Sequence, residues 1–192
     1  MRKWKRVDTA NGPRFRSALA PHEAALLKNL AGAMIGLLDE RESSSSPDEL
    51  EEITGIKTGN SEPPTEPTLR RLLPDFVKPG DDFSVPDVAD SLNAALRSLH
   101  EPEIIDTKRV AAHRLLDTVP DDGGRFELTE DDADAWVAAV NDIRLTLGVM
   151  LEVGPEGPER LPADHPLAVH FDVYQWLTVL QEYLVLVLMG SR

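Results

Sequence analysis

LAVHFDVYQWLTVLQEYLVLVLM, residues 167–189, is the one strongly apolar stretch of the chain. Leu167, Phe171, Tyr174, Leu177, Leu180, Leu184 and Leu188 recur at spacings of three and four, the period at which one face of a helix is buried. Val173, Trp176, Val179, Leu186 and Val187 cover much of the remaining surface. A helix apolar on nearly all sides is either central to a bundle or buried in an oligomer contact. The second option makes Val173, Trp176, Val179 and Val187 a candidate homodimer seam. Asp172, Gln175, Gln181 and Glu182 lie within the stretch, so it reads as a helix of a soluble protein and not as a membrane span.

Helical signals continue upstream. Thr129 followed by Asp132 resembles a capping box and opens a helix reaching about Val153, with Ala133, Trp136, Val137, Val140, Leu147 and Leu151 as its stripe. Gly154-Pro155-Glu156-Gly157-Pro158 ends it, and Pro166 begins the last helix, with Asp164 or His165 as its cap. Pro21 suits a first helical turn, and Leu27, Leu30, Ala31, Met34, Ile35 and Leu38 predict a helix to about Glu42. Thr68 to Leu73 is a short helix stopped by Pro74. From Pro86, one stripe of Leu92, Ala95, Leu96 and Leu99 and a second of Ile105, Ala112, Leu115, Leu116 and Val119 predict two helices, separated at His100-Glu101-Pro102. The Ser, Pro, Gly and Glu-rich stretch 43–67 reads as a mobile loop with a helical turn or two at Asp48 to Ile53, because it has little apolar surface to bury.

The N-terminus breaks this pattern. Lys3 to Val7 and Arg14 to Ala18 flank a turn containing Asn11-Gly12, which predicts a β-hairpin. Trp4 and Phe15 would anchor one face, and Lys3, Lys5, Arg14 and Arg16 would alternate onto the other. Arg125-Phe126-Glu127-Leu128 reads as a strand that could add to the hairpin, since a lone pair of strands is marginal in water. The expectation is a mainly α fold, a helical bundle with a small antiparallel hairpin or three-stranded sheet, in a single domain over 1–192.

Charge and composition exclude several functions. The net charge of -14 and pI near 4.7 oppose nonspecific attraction to nucleic acid or anionic lipid. Without cysteine there is no thiolate metal site, disulfide or thiol nucleophile. The basic start, Met1 to Arg6, leads into Val7-Asp8-Thr9 and not an apolar core, so it is not laid out as a secretory signal, and a cytoplasmic location is expected. His165 and His170 are five apart and cannot share a helix face as two ligands, even with Asp164 and Asp172 nearby. Acids at Asp48 to Glu52 and Glu130 to Asp134 sit where helix starts favour negative charge. Gly123-Gly124 follows a helix and precedes a strand, the reverse of a phosphate loop. No catalytic residue, metal ligand or cofactor is assigned, and no enzyme activity is expected.

A winged helix-turn-helix is a possible reading of the two helices after Pro86, but Asp87, Asp90, Glu101, Glu103, Asp106 and Asp117 outnumber Arg97, Lys108, Arg109 and Arg114. A recognition helix needs the opposite balance, so direct DNA binding is not expected. The basic arm is more unusual. Arg2, Lys3, Lys5, Arg6, Arg14 and Arg16 oppose only Asp8 in an otherwise acidic protein, which makes them the candidate site for an acidic protein partner, with a solvated hairpin face as the bland alternative.

Met1-Arg2-Lys3-Trp4-Lys5-Arg6-Val7, Ala20 to Leu27, and His165 to Tyr174 together resemble the actinobacterial AosR-type family, long catalogued as a domain of unknown function. The resemblance runs over nearly the whole chain. It implies a cytoplasmic regulator of the oxidative-stress response that contacts an extracytoplasmic-function sigma factor, with neither enzyme activity nor cofactor. Some relatives link the oxidant signal to a pair of cysteines, which this chain lacks. The alternative is a self-associating structural helical protein with no regulatory output.

Overall fold

The computed structural model describes residues 3–44, 58–78, 86–154, 156–157, 161–162 and 164–190. The helical turns expected at Asp48 to Ile53 lie outside the described residues. The described elements are β1 (Lys5–Thr9), β2 (Gly12–Leu19), α1 (Pro21–Ser43), α2 (Pro67–Leu72), α3 (Pro86–Thr118), β3 (Gly124–Leu128), α4 (Glu130–Met150) and α5 (Ala168–Leu188). The expected class, mainly helical with a three-stranded antiparallel sheet of order β1-β2-β3, is what forms. The chain divides into two compact units, Met1–Ile35 with Val110–Arg192, and Gly36–Arg109.

In the first unit the hairpin reverses at Ala10-Asn11, where Gly12 takes φ 93° and the Thr9 hydroxyl donates to the Gly12 carbonyl at 2.7 Å. Trp4, Phe15, Leu19 and Leu128 are buried. Trp4 meets Phe126 and Trp136 edge-on at 5.4 and 5.7 Å, and Phe126 stacks on Trp136 at 5.2 Å. These contacts join the sheet to α4, whose Trp136 indole N–H donates to the Thr118 hydroxyl at 2.7 Å. The capping box forms as expected: the Asp132 N–H donates to the Thr129 hydroxyl, and the Thr129 N–H to the Asp132 carboxylate, both at 3.1 Å. Helix α4 then ends at Met150, short of Val153.

Helix α5 packs along α4 through Leu177, Leu180 and Leu184, its fully buried residues. The Arg144 guanidinium donates to the Thr178 hydroxyl at 3.1 Å and to the Gln181 side-chain carbonyl at 2.5 Å, while the Gln181 amide donates to the Val137 carbonyl at 3.0 Å. The helix begins at Ala168, with no side-chain hydrogen bond from its cap residue, Leu167. The His165 ring accepts from the Leu167 N–H at 3.1 Å in the preceding turn. Leu167, Phe171, Tyr174 and Leu188 are only half-buried, so the long stripe expected to face the core contracts to its middle. Among the described residues no helix is long and apolar enough to cross a membrane.

Helix α3 corrects the reading of residues 86–118. Two helices were expected, broken at His100-Glu101-Pro102, but α3 runs unbroken through Pro102. Proline lacks the N–H that would reach the carbonyl four residues back. That carbonyl, Ser98, accepts instead from the Gly59 N–H at 2.8 Å. The continuous helix also removes the inter-helix turn that a helix-turn-helix reading requires. The first expected stripe fails in the same place: Ala95 and Leu99 are exposed and Ala89, Arg97 and Glu101 are buried, whereas Ile105, Ala112, Leu115 and Val119 of the second are buried as expected. The Arg97 guanidinium, 1% exposed, donates to Glu101 at 2.7 Å, to Asp75 at 2.6 Å and to the Leu73 carbonyl at 3.1 Å. Arg41 completes the group by donating to the other Glu101 oxygen at 2.7 Å.

Candidate functional site

Alternation along paired strands turns the basic arm into a surface. Opposite Lys5 in β1 stands Arg16 in β2, and opposite Arg16 stands Glu127 in β3. Val7 pairs with Arg14, and Ala18 with Arg125. Residues in one cross-strand row point to the same side, and so do rows two residues apart. Lys5, Arg14, Arg16 and Arg125 therefore share one face, with Lys3 beside them just ahead of β1, while Trp4, Phe15, Leu19 and Leu128 on the other are buried. The expectation for Lys5, Arg14 and Arg16 is met in register, and Lys3, ahead of β1, lines a groove together with Lys5 and Arg16.

Glu127 is the single carboxylate on that face among the described strand residues. It accepts from Arg16 at 2.8 Å and lies 3.9 Å from the Arg14 guanidinium, which also donates to the Asn11 and Pro13 carbonyls. Five cations against one acid leave a net of about four positive charges on a three-stranded sheet, in a chain whose total charge is -14. Ala18 is the short side chain of its row, and beside it opens a groove of about 790 Å³ lined by Lys3, Lys5, Arg16, Arg125, Phe126 and Glu127. The charged donors of Lys3, Lys5, Arg16 and Arg125 line this groove, while the Phe126 ring turns to the other face, against Trp4 and Trp136.

One expected member stands apart. Arg6 alternates onto the Trp4 side, where it donates to Asp8 at 3.1 Å. Arg2 lies outside the described residues. Arg125 is the member that sequence reading missed; its position beside Phe126 in an alternating strand was visible, but its row on the sheet depends on pairing with residues more than a hundred positions away.

The candidate seam residues all lie on α5, where Val173, Trp176 and Val187 are half-buried and Val179 is exposed. Tyr183 and Leu186 are exposed as well, and the Lys3 ammonium stands 5.8 Å from the Tyr183 ring centroid. The histidines do not gather: among the described residues no group of three or more His, Cys, Asp or Glu side chains converges as metal ligands would.

Comparison with known proteins agrees with the resemblance noted from the sequence. The chain is 76% identical over 196 residues to the Mycobacterium tuberculosis and Mycobacterium bovis proteins named "Oxidative stress regulator AosR", an alignment covering all of this chain and 90% of each relative. It is 69% identical over 195 residues to a Mycobacterium leprae protein that also carries the AosR name, again with all of this chain and 90% of the relative covered. No solved structure matches. The family described as domain of unknown function DUF2017 matches residues 1–188, and the chain belongs to that family.

Proposed function

We propose that this protein is a regulator in the oxidative-stress response that works in the cytoplasm by gripping another protein, and that the gripping surface is the basic face of the β1-β2-β3 sheet. The partner that fits best is an acidic surface of the transcription machinery, an extracytoplasmic-function sigma factor first among them. The regulatory role is supported by the name its relatives carry at 76% identity. The docking role is supported by one observation, the five cations collected on one sheet face of an acidic chain. Solvation alone does not favour such a concentration, because like charges on neighbouring strands repel, and Glu127 offsets only part of that repulsion. A carboxylate-rich partner relieves it and gains on-rate by steering. Oxidant sensing by thiol chemistry has no residue to act through here, because the chain has no cysteine.

The test is capture of a stress sigma factor by the tagged protein from extract of its own cells, with and without peroxide. The parent is compared with a variant carrying Lys5→Glu, Arg14→Glu, Arg16→Glu and Arg125→Glu. The expected result is a sigma factor held by the parent, lost by the variant, and released as salt shortens the Debye length from about 10 Å at 0.1 M to about 3 Å at 1 M. Equal capture by both proteins, or no sigma factor with either, rejects the reading.

A further inference from the structure

The surface of α5 carries a second apolar stripe that the described residues leave largely open at Val179, Tyr183 and Leu186. Trp176, Val179, Tyr183 and Leu186 follow Asp172 at spacings of four, three, four and three. That is the seam spacing of paired helices. At 100° per residue the stripe lies about a third of a turn around the helix from the buried Leu177, Leu180 and Leu184, so the core and the stripe face different ways. Val179, Tyr183 and Leu186 are 40%, 36% and 39% exposed.

We infer that this stripe is covered by α5 of a second copy of the chain, running antiparallel about a two-fold axis near Val179 and Leu180. Seam spacing calls for a helix as occupant, and the charges beside the stripe select which one. Asp172, exposed and without an ion pair among the described residues, lies one turn before Trp176. Lys3, exposed as well, lies over Tyr183 toward the other end. An antiparallel pairing sets Trp176 of each copy against Tyr183 of the other, an aromatic pair. The same registry brings Asp172 of each copy within about one helical turn of the other copy's Lys3, so the two ends close with opposite charges. A parallel pairing would set Asp172 against Asp172 and Lys3 against Lys3. The stripe and its flanks are thus self-complementary in one direction only, the requirement for an isologous dimer. The inference does not depend on any partner of the basic sheet face.

Sedimentation velocity of the full chain tests it. The expected species at micromolar concentration has twice the 21.2 kDa chain mass. Val179→Glu, at a position outside the core, should leave the helical circular dichroism unchanged and raise the dimer dissociation constant about a hundredfold or more by burying an unpaired charge. Asp172→Lys and Lys3→Glu should each weaken the dimer about tenfold, and the two together should recover most of the loss. The cysteine-free background permits a test of direction. Val179→Cys should cross-link the dimer through a disulfide, and Leu186→Cys should not, because antiparallel pairing holds those two positions about 20 Å apart along the helices. A chain that stays single at a hundred micromolar, whatever else it binds, overturns the inference. So does a dimer indifferent to Val179→Glu, or one in which Leu186→Cys cross-links as readily as Val179→Cys.

Discussion

The backbone of Gly59 lies against the ring of Pro102 so closely that a Cβ on Gly59 would stand 2.9 Å from both Cγ and Cδ of the proline. The contact explains how α3 passes through a proline. Pro102 frees the Ser98 carbonyl, and Gly59 comes near enough to donate to it because it has no side chain. Gly59→Ala should therefore destabilise the protein by about 1 to 3 kcal/mol, since neither a ring fixed in a helix nor the hydrogen-bonded backbone can yield cheaply. Pro102→Ala removes the obstacle, so the double variant should lose less than the sum of the single losses. Urea unfolding of the four proteins measures the coupling.

Arg97 and Glu101 are each about 2% exposed in their side chains and are bonded to one another at 2.7 Å. Removing one partner leaves a buried charge, and Glu101→Ala should lower stability by about 3 to 5 kcal/mol. Replacing both with apolar residues of similar size, Arg97→Met with Glu101→Leu, should lower it by clearly less than Glu101→Ala alone, although Arg41 and Asp75 then lose a partner. An additive result in thermal or urea unfolding would show that the pair acts through packing and not charge.

Features held by neighbours in sequence were legible in the sequence, and features held by distant partners were not. Thr129 and Asp132 are three apart, and their capping box forms as read. Trp4 and Phe15 flank a tight turn, so alternation placed Lys5, Arg14 and Arg16 correctly on the opposite face. Pro102 read as a break because the donor that rescues its helix, Gly59, is remote. Arg97 and Glu101, spaced i and i+4, look like a solvated helix pair; Leu73, Asp75 and Arg41 bury them, and nothing local announces it. Arg125 joined the basic face by the same kind of long-range register.

Gly123 shows a tighter constraint than Gly59. It takes φ 70°, and a Cβ there would lie 2.8 Å from Leu19 O, Ala20 C and Pro21 N, backbone atoms where β2 passes into α1. Gly123→Ala should thus combine dihedral strain with a clash that no rotamer relieves, a loss of about 2 kcal/mol or more. Gly12 is the control, with φ 93° but open space around it. Gly12→Ala should lose about 1 to 2 kcal/mol from strain alone. Equal losses in thermal unfolding would mean that the close approach at Gly123 relaxes freely.

Glu66 caps α2 with its carboxylate, which accepts from the Leu69 N–H at 2.6 Å. Burial pushes the carboxyl up, but hydrogen bonds from the Thr68 hydroxyl and from the N–H groups of Thr68 and Leu69 outweigh it and hold its pKa below the ordinary 4.5. A carboxylate whose pKa is lowered on folding adds stability that is fully present above its unfolded pKa and is lost as pH falls through the folded value. Glu66→Gln keeps an acceptor oxygen but cannot titrate. The stability difference between parent and variant should accordingly stay constant at neutral pH, shrink as pH drops below 4.5, and level off once Glu66 is protonated in both states. Comparing two proteins cancels the other carboxylates, including Asp121, whose pKa is lowered by its hydrogen bond from Lys28. Urea titrations across that range report the difference directly. A gap that ignores pH would mean that the cap works as a neutral hydrogen bond, with no contribution from the carboxylate's charge at the helix start.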